Sequence, residues 1–291
     1  MSYLTEDTSA EVVNGRIGAQ TDPRLREVMS SLVSHLHAFI KEVELTEAEW
    51  DYAIEFLTRT GQMCDDTRQE FILLSDVLGV SMLVDAVNHR LPEGATQSTV
   101  FGPFHVKGAP ERPMGATISL DGKGELCLFE GRVLDVDGTP IENALVDVWS
   151  DNEDGFYDVQ QPDIQPPFNN RGVFRTGPDG RYAFRGIKPV SYPIPDDGPV
   201  GQMLAALGRH PWRPAHMHFM ISAPEHARLI THLFVAGDDY LASDAVFGVK
   251  PDLIVGLEPV AEGDAMPPAE QGEAAPVKWR AQYDFRLKKQ G

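Results

Sequence analysis

Cysteine is scarce in this chain. Cys64 and Cys127 are the only two in 291 residues, too few for a disulfide framework and without the spacing of zinc ligands. A reducing cytoplasm suits such a chain, and any metal it binds must be held by histidine, tyrosine or carboxylate. Long apolar runs are missing as well. None approaches the roughly 20 residues that span a bilayer, and no basic stretch leading into an apolar one follows Met1, so neither a membrane span nor a signal peptide is expected. Positive charge is also short: 25 Lys and Arg face 44 Asp and Glu, and a net charge of −19 opposes nucleic acid and anionic membrane surfaces as partners. No internal repeat appears, and the one biased tract is an acidic, Pro/Ala-rich stretch near 261–276. What remains, 42% hydrophobic and 24% charged residues, is the composition of a globular protein of one large or two medium domains.

The first hundred residues carry helical signals. Asp22-Pro23 supplies a cap and a first-turn proline, and Leu25, Val28, Met29, Leu32, Leu36, Phe39, Ile40 and Val43 keep the 3.6-residue rhythm behind it. Thr46-Glu47-Ala48-Glu49 reads as a capping box opening a second helix, and Thr67-Arg68-Gln69-Glu70 as another. The latter predicts one helix to about His89, apolar most of the way round and therefore buried. From about Ala116 the pattern changes to short β-type runs at 126–134, 144–149, 182–184, 215–222, 229–235 and 279–287. Turn signals such as Asp137-Gly138, Asp154-Gly155 and Asp179-Gly180 separate the early ones. The expected fold is α+β: an all-helical domain, residues 1–105, followed by an antiparallel β-sandwich, residues 106–291.

Within one of those runs, Arg213-Pro214-Ala215-His216-Met217-His218-Phe219, two histidines are one residue apart. Strand side chains alternate faces, so His216 and His218 project together, about 7 Å apart, and can close on one metal ion. His35 and His37 have the same spacing on a helix, where positions two apart diverge by about 200° and cannot do so. Two imidazoles need further donors. Glu225 or Asp238 would complete a ferrous facial triad or a zinc site. Tyr157 and Tyr192 would suit a ferric ion, whose charge pulls a phenol far below its ordinary pKa near 10. Spacing alone leaves both routes open, and by itself reads each tyrosine as an ordinary half-buried aromatic. His89, His105, His210 and His226 have no partner at useful spacing.

The ordered set Tyr157, Tyr192, Arg213-Pro214-Ala215-His216-Met217-His218 resembles the iron site of the intradiol ring-cleavage dioxygenases. The likeness extends over nearly the whole chain, through Gly131-Arg132-Val133-Leu134-Asp135, Val146-Asp147-Val148-Trp149 and Ala236-Gly237-Asp238-Asp239-Tyr240-Leu241. It implies a non-haem Fe(III) enzyme of aromatic catabolism that opens a small aromatic diol or triol with O2. Tyr157, Tyr192, His216 and His218 would be the metal ligands. Tyr192 and Arg213 would be catalytic, the first as a ligand that leaves and takes a substrate proton, the second as a cation stabilising charge on the ring.

The branch acting on hydroxyquinol (benzene-1,2,4-triol) is the most similar. Leu73 with Asp76, Val100-Phe101-Gly102-Pro103-Phe104, Thr231-His232-Leu233-Phe234-Val235 and Ser243-Asp244-Ala245-Val246-Phe247-Gly248 carry that likeness. It implies a substrate pocket of Leu73, Asp76, Val100, Phe101, Gly102, Ile194, Pro195, Arg213 and Val246, with Asp76 accepting from the extra ring hydroxyl. The same resemblance implies a homodimer joined through the helical domain and a bound phospholipid there. His232 stands where catechol-cleaving members carry glutamine, and its role stays open between hydrogen-bond donor and packing residue. A catechol or chlorocatechol substrate, and a non-enzymatic transthyretin-like binding module, are the competing expectations.

Overall fold

The computed structural model describes residues 3–66, 68–90, 92, 94–261, 263–267 and 276–290. It separates into two compact units, residues 1–62 and 63–291.

The first unit holds α1 (Ser9–Asn14), α2 (Pro23–Glu42) and α3 (Glu47–Gln62). Asp22 caps α2 through Leu25 N at 2.9 Å. The capping box before α3 is reciprocal: Thr46 N donates to Glu49 Oε2 at 2.9 Å, and Glu49 N donates to Thr46 Oγ1 at 3.3 Å. The apolar stripe of α2 is not buried within this chain, for Leu25, Leu32, Leu36 and Phe39 are each at least half exposed. In the described residues no helix is long and apolar enough to cross a membrane.

The second unit opens with α4 (Glu70–Val77) and α5 (Val80–Asn88). The single helix expected from 67 to 89 is thus two, and Thr67 lies outside the described residues. Gly79, with φ +74°, adopts the left-handed conformation that ends α4 and redirects the chain. The expected burial fails on α5, where Leu83 is 65% exposed, while Asp76 and Val77 on α4 are buried.

Twelve strands follow among the described residues. One sheet centres on β1 (Leu126–Asp135), which pairs antiparallel with β4 (Arg181–Ile187) and parallel with β11 (Trp279–Gln282) and β12 (Phe285–Leu287); β10 (Glu258–Pro259) edges β11. The other runs β3 (Arg171–Arg175), β2 (Leu145–Trp149), β7 (His216–Ser222), β8 (Leu229–Val235) and β9 (Ile254–Val255), with β8 and β9 parallel. A separate ribbon pairs β5 (Tyr192–Pro193) with β6 (Trp212–Arg213), and α6 (Pro199–Ala206) lies between them in sequence. The sandwich is therefore mixed rather than antiparallel. β11 and β12 reach β1 over long connections and enter parallel, which a hairpin cannot do. The run at 279–287 splits in two because β1 comes very close there: a Cβ on Gly131 would lie 1.8 Å from the Tyr283 carbonyl oxygen.

Alternation then sorts the side chains. Phe129, Phe184, Val146, Val148, Met217, Phe219 and Leu233 fill the core between the sheets. Trp149, His218 and His232 sit in register across β2, β7 and β8 on the opposite face, which is the face that carries the chemistry. A smaller cluster of Val77, Val100, Ile194, Val200, Leu204 and Val246 holds α4 and α6 beside that face.

Candidate metal centre

β7 presents His216 and His218 as the alternation requires, and two elements outside its sheet bring phenols to them. Tyr157 follows the Asn152–Phe156 turn, where Gly155 is needed: its φ is +82°, and a Cβ would stand 3.0 Å from Tyr192 Cβ. Tyr192 is held in β5. The four donor atoms converge. Tyr157 Oη lies 2.9 Å from His218 Nε2 and 3.1 Å from Tyr192 Oη, Tyr192 Oη 3.3 Å from His216 Nε2, and the two Nε2 atoms 3.2 Å apart. His216 Nδ1 donates to the Pro214 carbonyl at 2.7 Å, which leaves a lone pair on Nε2. All four residues are buried. Electron-rich atoms packed this closely need a cation or protons among them, and their separations match neighbouring corners around an ion with bonds of roughly 2.0–2.2 Å. The donor set fits a metal.

Electrostatics point the same way. Burial first, and then the Arg213 charge, holds His216 well below the ordinary imidazole range; burial, then neighbouring His232 and His216, does so for His218. Both are neutral, as ligands must be. Burial pushes both phenols up, Tyr157 furthest, with Tyr192 and Asp151 adding to it. Asp151 is itself buried, and burial raises it well above the usual carboxylate range against the opposing pull of the Asp151 and Val190 backbone N–H groups. Burial alone would lower Arg213; the Asp244 carboxylate and the Tyr192 phenol more than offset this, so it stays a cation.

Arg213 is oriented rather than merely present. Its Nε donates to Asp244 Oδ1 at 3.2 Å and its Nη1 to His216 Nε2 at 3.1 Å, while Nη2 is buried without a partner. Asp244 is fixed in turn by Gly248 N at 2.8 Å and Val246 N at 3.3 Å.

Beside this centre is a narrow cavity of about 80 Å³, lined by Leu73, Asp76, Val100, Gly102, Ile194, Pro195, Arg213 and Val246 together with Tyr192. It is far below the roughly 300–1,000 Å³ of drug-sized sites, and so selects a small ligand. Phe101 is not on its wall. It is 42% exposed and turns toward His105 and Trp149. Arg68, Gln69, Glu70, Ile72, Pro103 and Phe104 also line the cavity, and none of them is in the pocket that the resemblance implies. Gly102 has φ +75°, and a Cβ there would sit 3.0 Å from His218 Cε1. Asp76 is 8% exposed in apolar company; burial raises its carboxyl, and Ser81 and Arg213 partly offset that.

Three further side chains bear on the donors. Trp149 stacks on His218 with centroids 4.7 Å apart and planes at 15°. His105 meets the same Trp149 at 4.8 Å and binds Asp147 Oδ2 at 2.9 Å, a partner distant in sequence. His232 lies 4.1 Å from the His218 ring, with Nδ1 bound to the Thr99 hydroxyl and Nε2 unpartnered, so it can add a third imidazole or an N–H to the same site. Asp238 and Glu225, the carboxylates considered for a facial triad, are absent from the histidine cluster that the described residues form.

Comparison with known proteins gives matches over almost the whole chain. The "Catechol dioxygenase N terminus" family covers residues 22–96 and the "Dioxygenase" family residues 100–289. A hydroxyquinol 1,2-dioxygenase of Rhizobium sp. is 57% identical over 98% of this chain and 96% of its own length. A 6-chlorohydroxyquinol 1,2-dioxygenase of Cupriavidus pinatubonensis is 56% identical over 87% of this chain and 92% of its own. Among solved structures, a hydroxyquinol 1,2-dioxygenase from Pseudomonas putida superposes with a TM-score of 0.91 at 49% identity, over 98% of this chain and 99% of the other.

Proposed function

This chain belongs to the intradiol ring-cleavage dioxygenases, and from that premise we propose that it opens hydroxyquinol between its adjacent hydroxylated carbons with O2. The product is 3-hydroxy-cis,cis-muconate, the enol form of maleylacetate. One observation carries the choice of substrate: the Asp76 carboxyl lines a small cavity shared with Tyr192 and Arg213, beside the apolar walls of Leu73, Val100, Ile194 and Val246 and with Arg68 and Glu70 also on its lining. Ser81 hydrogen-bonds this buried carboxyl, which has further acceptor capacity on the cavity side, and the third ring hydroxyl can donate to it there.

Tyr157, Tyr192, His216 and His218 would hold the metal, which we take to be Fe(III) because hard phenolate oxygens favour it. When bound, it withdraws electrons from the chelated ring and makes it reactive toward O2. The chain's own groups do the rest. Tyr192, the donor that also lines the cavity, takes a proton from a substrate hydroxyl at its Oη. Arg213, with Nη2 uncommitted, stabilises negative charge developing on the ring. Leu73, Val100, Ile194 and Val246 hold the ring and exclude water. Phe101 belongs to the support of Trp149 rather than to the ring contact.

The test is oxygen uptake by iron-loaded protein with hydroxyquinol, catechol and chlorocatechols side by side, read with the visible spectrum. Hydroxyquinol is expected to be preferred, and tyrosinate charge transfer to colour the protein. A colourless loaded protein would fit the ferrous or zinc alternative, and a preference for catechol would move the chain to the neighbouring branch. Asp76→Ala is expected to cost roughly tenfold or more with hydroxyquinol, since hydrogen bonds to charged groups contribute about 1.5–3 kcal/mol, and far less with catechol.

Asp76→Asn adds a stability readout. The folded pKa is raised above 3.8, so the carboxyl's contribution is full below the unfolded pKa and is lost as pH rises through the folded one. Removing the charge should therefore raise Tm at about pH 8 and change little at about pH 4.

We place the enzyme in the cytoplasm as a homodimer joined through the helical domain (residues 1–105), with a phospholipid against its apolar surface. The open stripe of Leu25, Leu32, Leu36 and Phe39 on α2 supports this. Light scattering should give twice the 32.1 kDa chain mass, and a monomer at micromolar concentration would refute the dimer.

A further inference from the structure

We propose that Asp238 is a positioning residue that fixes the Tyr192 donor against the His216 donor. It stands in the turn after β8. Its Oδ2 accepts from Ser191 Oγ at 2.5 Å and from Ala215 N at 3.0 Å, and its Oδ1 from Tyr240 N at 2.9 Å. Ser191 immediately precedes Tyr192, and Ala215 immediately precedes His216. One carboxylate oxygen thus ties together the residues leading into two of the four donors.

The tie matters because of how the two donors are built in. His216 starts β7, a strand held by ladders to β2 and β8. Tyr192 sits in β5, whose only ladder partner among the described strands is β6, outside both main sheets. That ladder sets Tyr192 against Arg213, three residues before His216, but neither main sheet holds β5 in register with β7, and Tyr192 Oη stands 3.3 Å from His216 Nε2. Asp238 supplies the missing reference point. The Ala215 carbonyl also accepts from Val235 N at 2.9 Å, so both backbone groups of Ala215 are anchored to the end of β8 and its turn. On the other side Gly155 closes against Tyr192 Cβ, leaving the β5 backbone little freedom. Held this way, Tyr192 can move by swinging its side chain while its backbone stays in register. Oδ2 makes the clip and Oδ1 is held by Tyr240 N, which gives Asp238 a different task from the metal-ligand one its sequence position suggested.

This inference rests on the reading of Tyr192 and His216 as metal donors, and the experiment separates the two. Iron-loaded wild type, Asp238→Ala, Asp238→Asn and Ser191→Ala are compared for their visible charge-transfer band, kcat and KM with hydroxyquinol. A displaced donor costs as much as about 100-fold in rate. Asp238→Ala is expected to shift and broaden the band and to lower kcat by about 10- to 100-fold, with KM changing much less. Ser191→Ala should move both readouts the same way by a smaller amount. Asp238→Asn keeps a carbonyl oxygen for the Ser191 and Ala215 donors but turns its NH2 toward Tyr240 N, and should restore part of the band. Variants that fold and keep the wild-type band and kcat overturn the clip. If Asp238→Ala does not fold, Ser191→Ala decides alone, because it deletes a single hydroxyl, and an unshifted band overturns the proposal. A wild type without the band overturns the donor reading, and the clip with it.

Discussion

Tyr192→Phe is expected to lower kcat with hydroxyquinol by about 10²–10⁴-fold, the range for losing a positioned proton acceptor. The substitution leaves the ring in place, buried against Trp149 and Tyr157, so the fold should survive with little change in Tm. What disappears is one oxygen, the one 3.1 Å from Tyr157 Oη and 3.3 Å from His216 Nε2. Tyr157 still supplies a phenolate, so the visible band should weaken and shift rather than vanish. The corresponding Tyr157→Phe variant should lose more of the metal, since Tyr157 lies 2.9 Å from His218 Nε2 and does not line the substrate cavity. Stopped-flow turnover and the spectrum of iron-loaded protein check both statements. Full activity with an unaltered band in Tyr192→Phe would remove that residue from the metal shell and end the proposed route of proton transfer.

The second large effect is expected at Arg213. Arg213→Met should reduce kcat/KM by about 10²–10³-fold, the cost of deleting one preorganised group aimed at developing charge. It should also destabilise the protein by roughly 3–5 kcal/mol, because Asp244 would be left as a buried carboxylate without its cation. The two losses can be separated. In Arg213→Met/Asp244→Asn the uncompensated charge is gone, so Tm should recover most of the way while the rate does not. Thermal melts and kinetics on the single and double variants give the answer. If the double variant recovered both, Arg213 would be a structural ion pair and its uncommitted Nη2 would have no catalytic meaning.

What could be read in advance depended on whether a pattern or a partner was being asked for. Strand periodicity placed His216 and His218 on one face and Met217 and Phe219 on the other, because alternation is a local property of the backbone. The Thr46–Glu49 box was equally local. Pairing was not: β11 and β12 reach β1 from about 150 positions away, and no run of residues near 279 declares whether it enters parallel or antiparallel. The same blindness hid the supports of the centre. Asp244 under Arg213, Thr99 behind His232 and Asp238 beside Ser191 are polar residues in loops or extended segments, and such residues acquire meaning only from the group they face. Reading α4 and α5 as one buried helix failed for a related reason. Apolar residues all round a helix predict a buried core, whereas Gly79 divides the segment and leaves Leu83 and Val84 in the open.

The backbone at Gly102 sets a rule for redesign. With left-handed torsion and an imidazole carbon 3.0 Å from where a Cβ would stand, this position admits neither a new contact nor a bulkier wall. Attempts to retarget the enzyme to larger or differently halogenated rings must therefore trim Val100, Ile194 or Val246. Saturation mutagenesis that includes codon 102 should return inactive clones for every replacement but glycine itself.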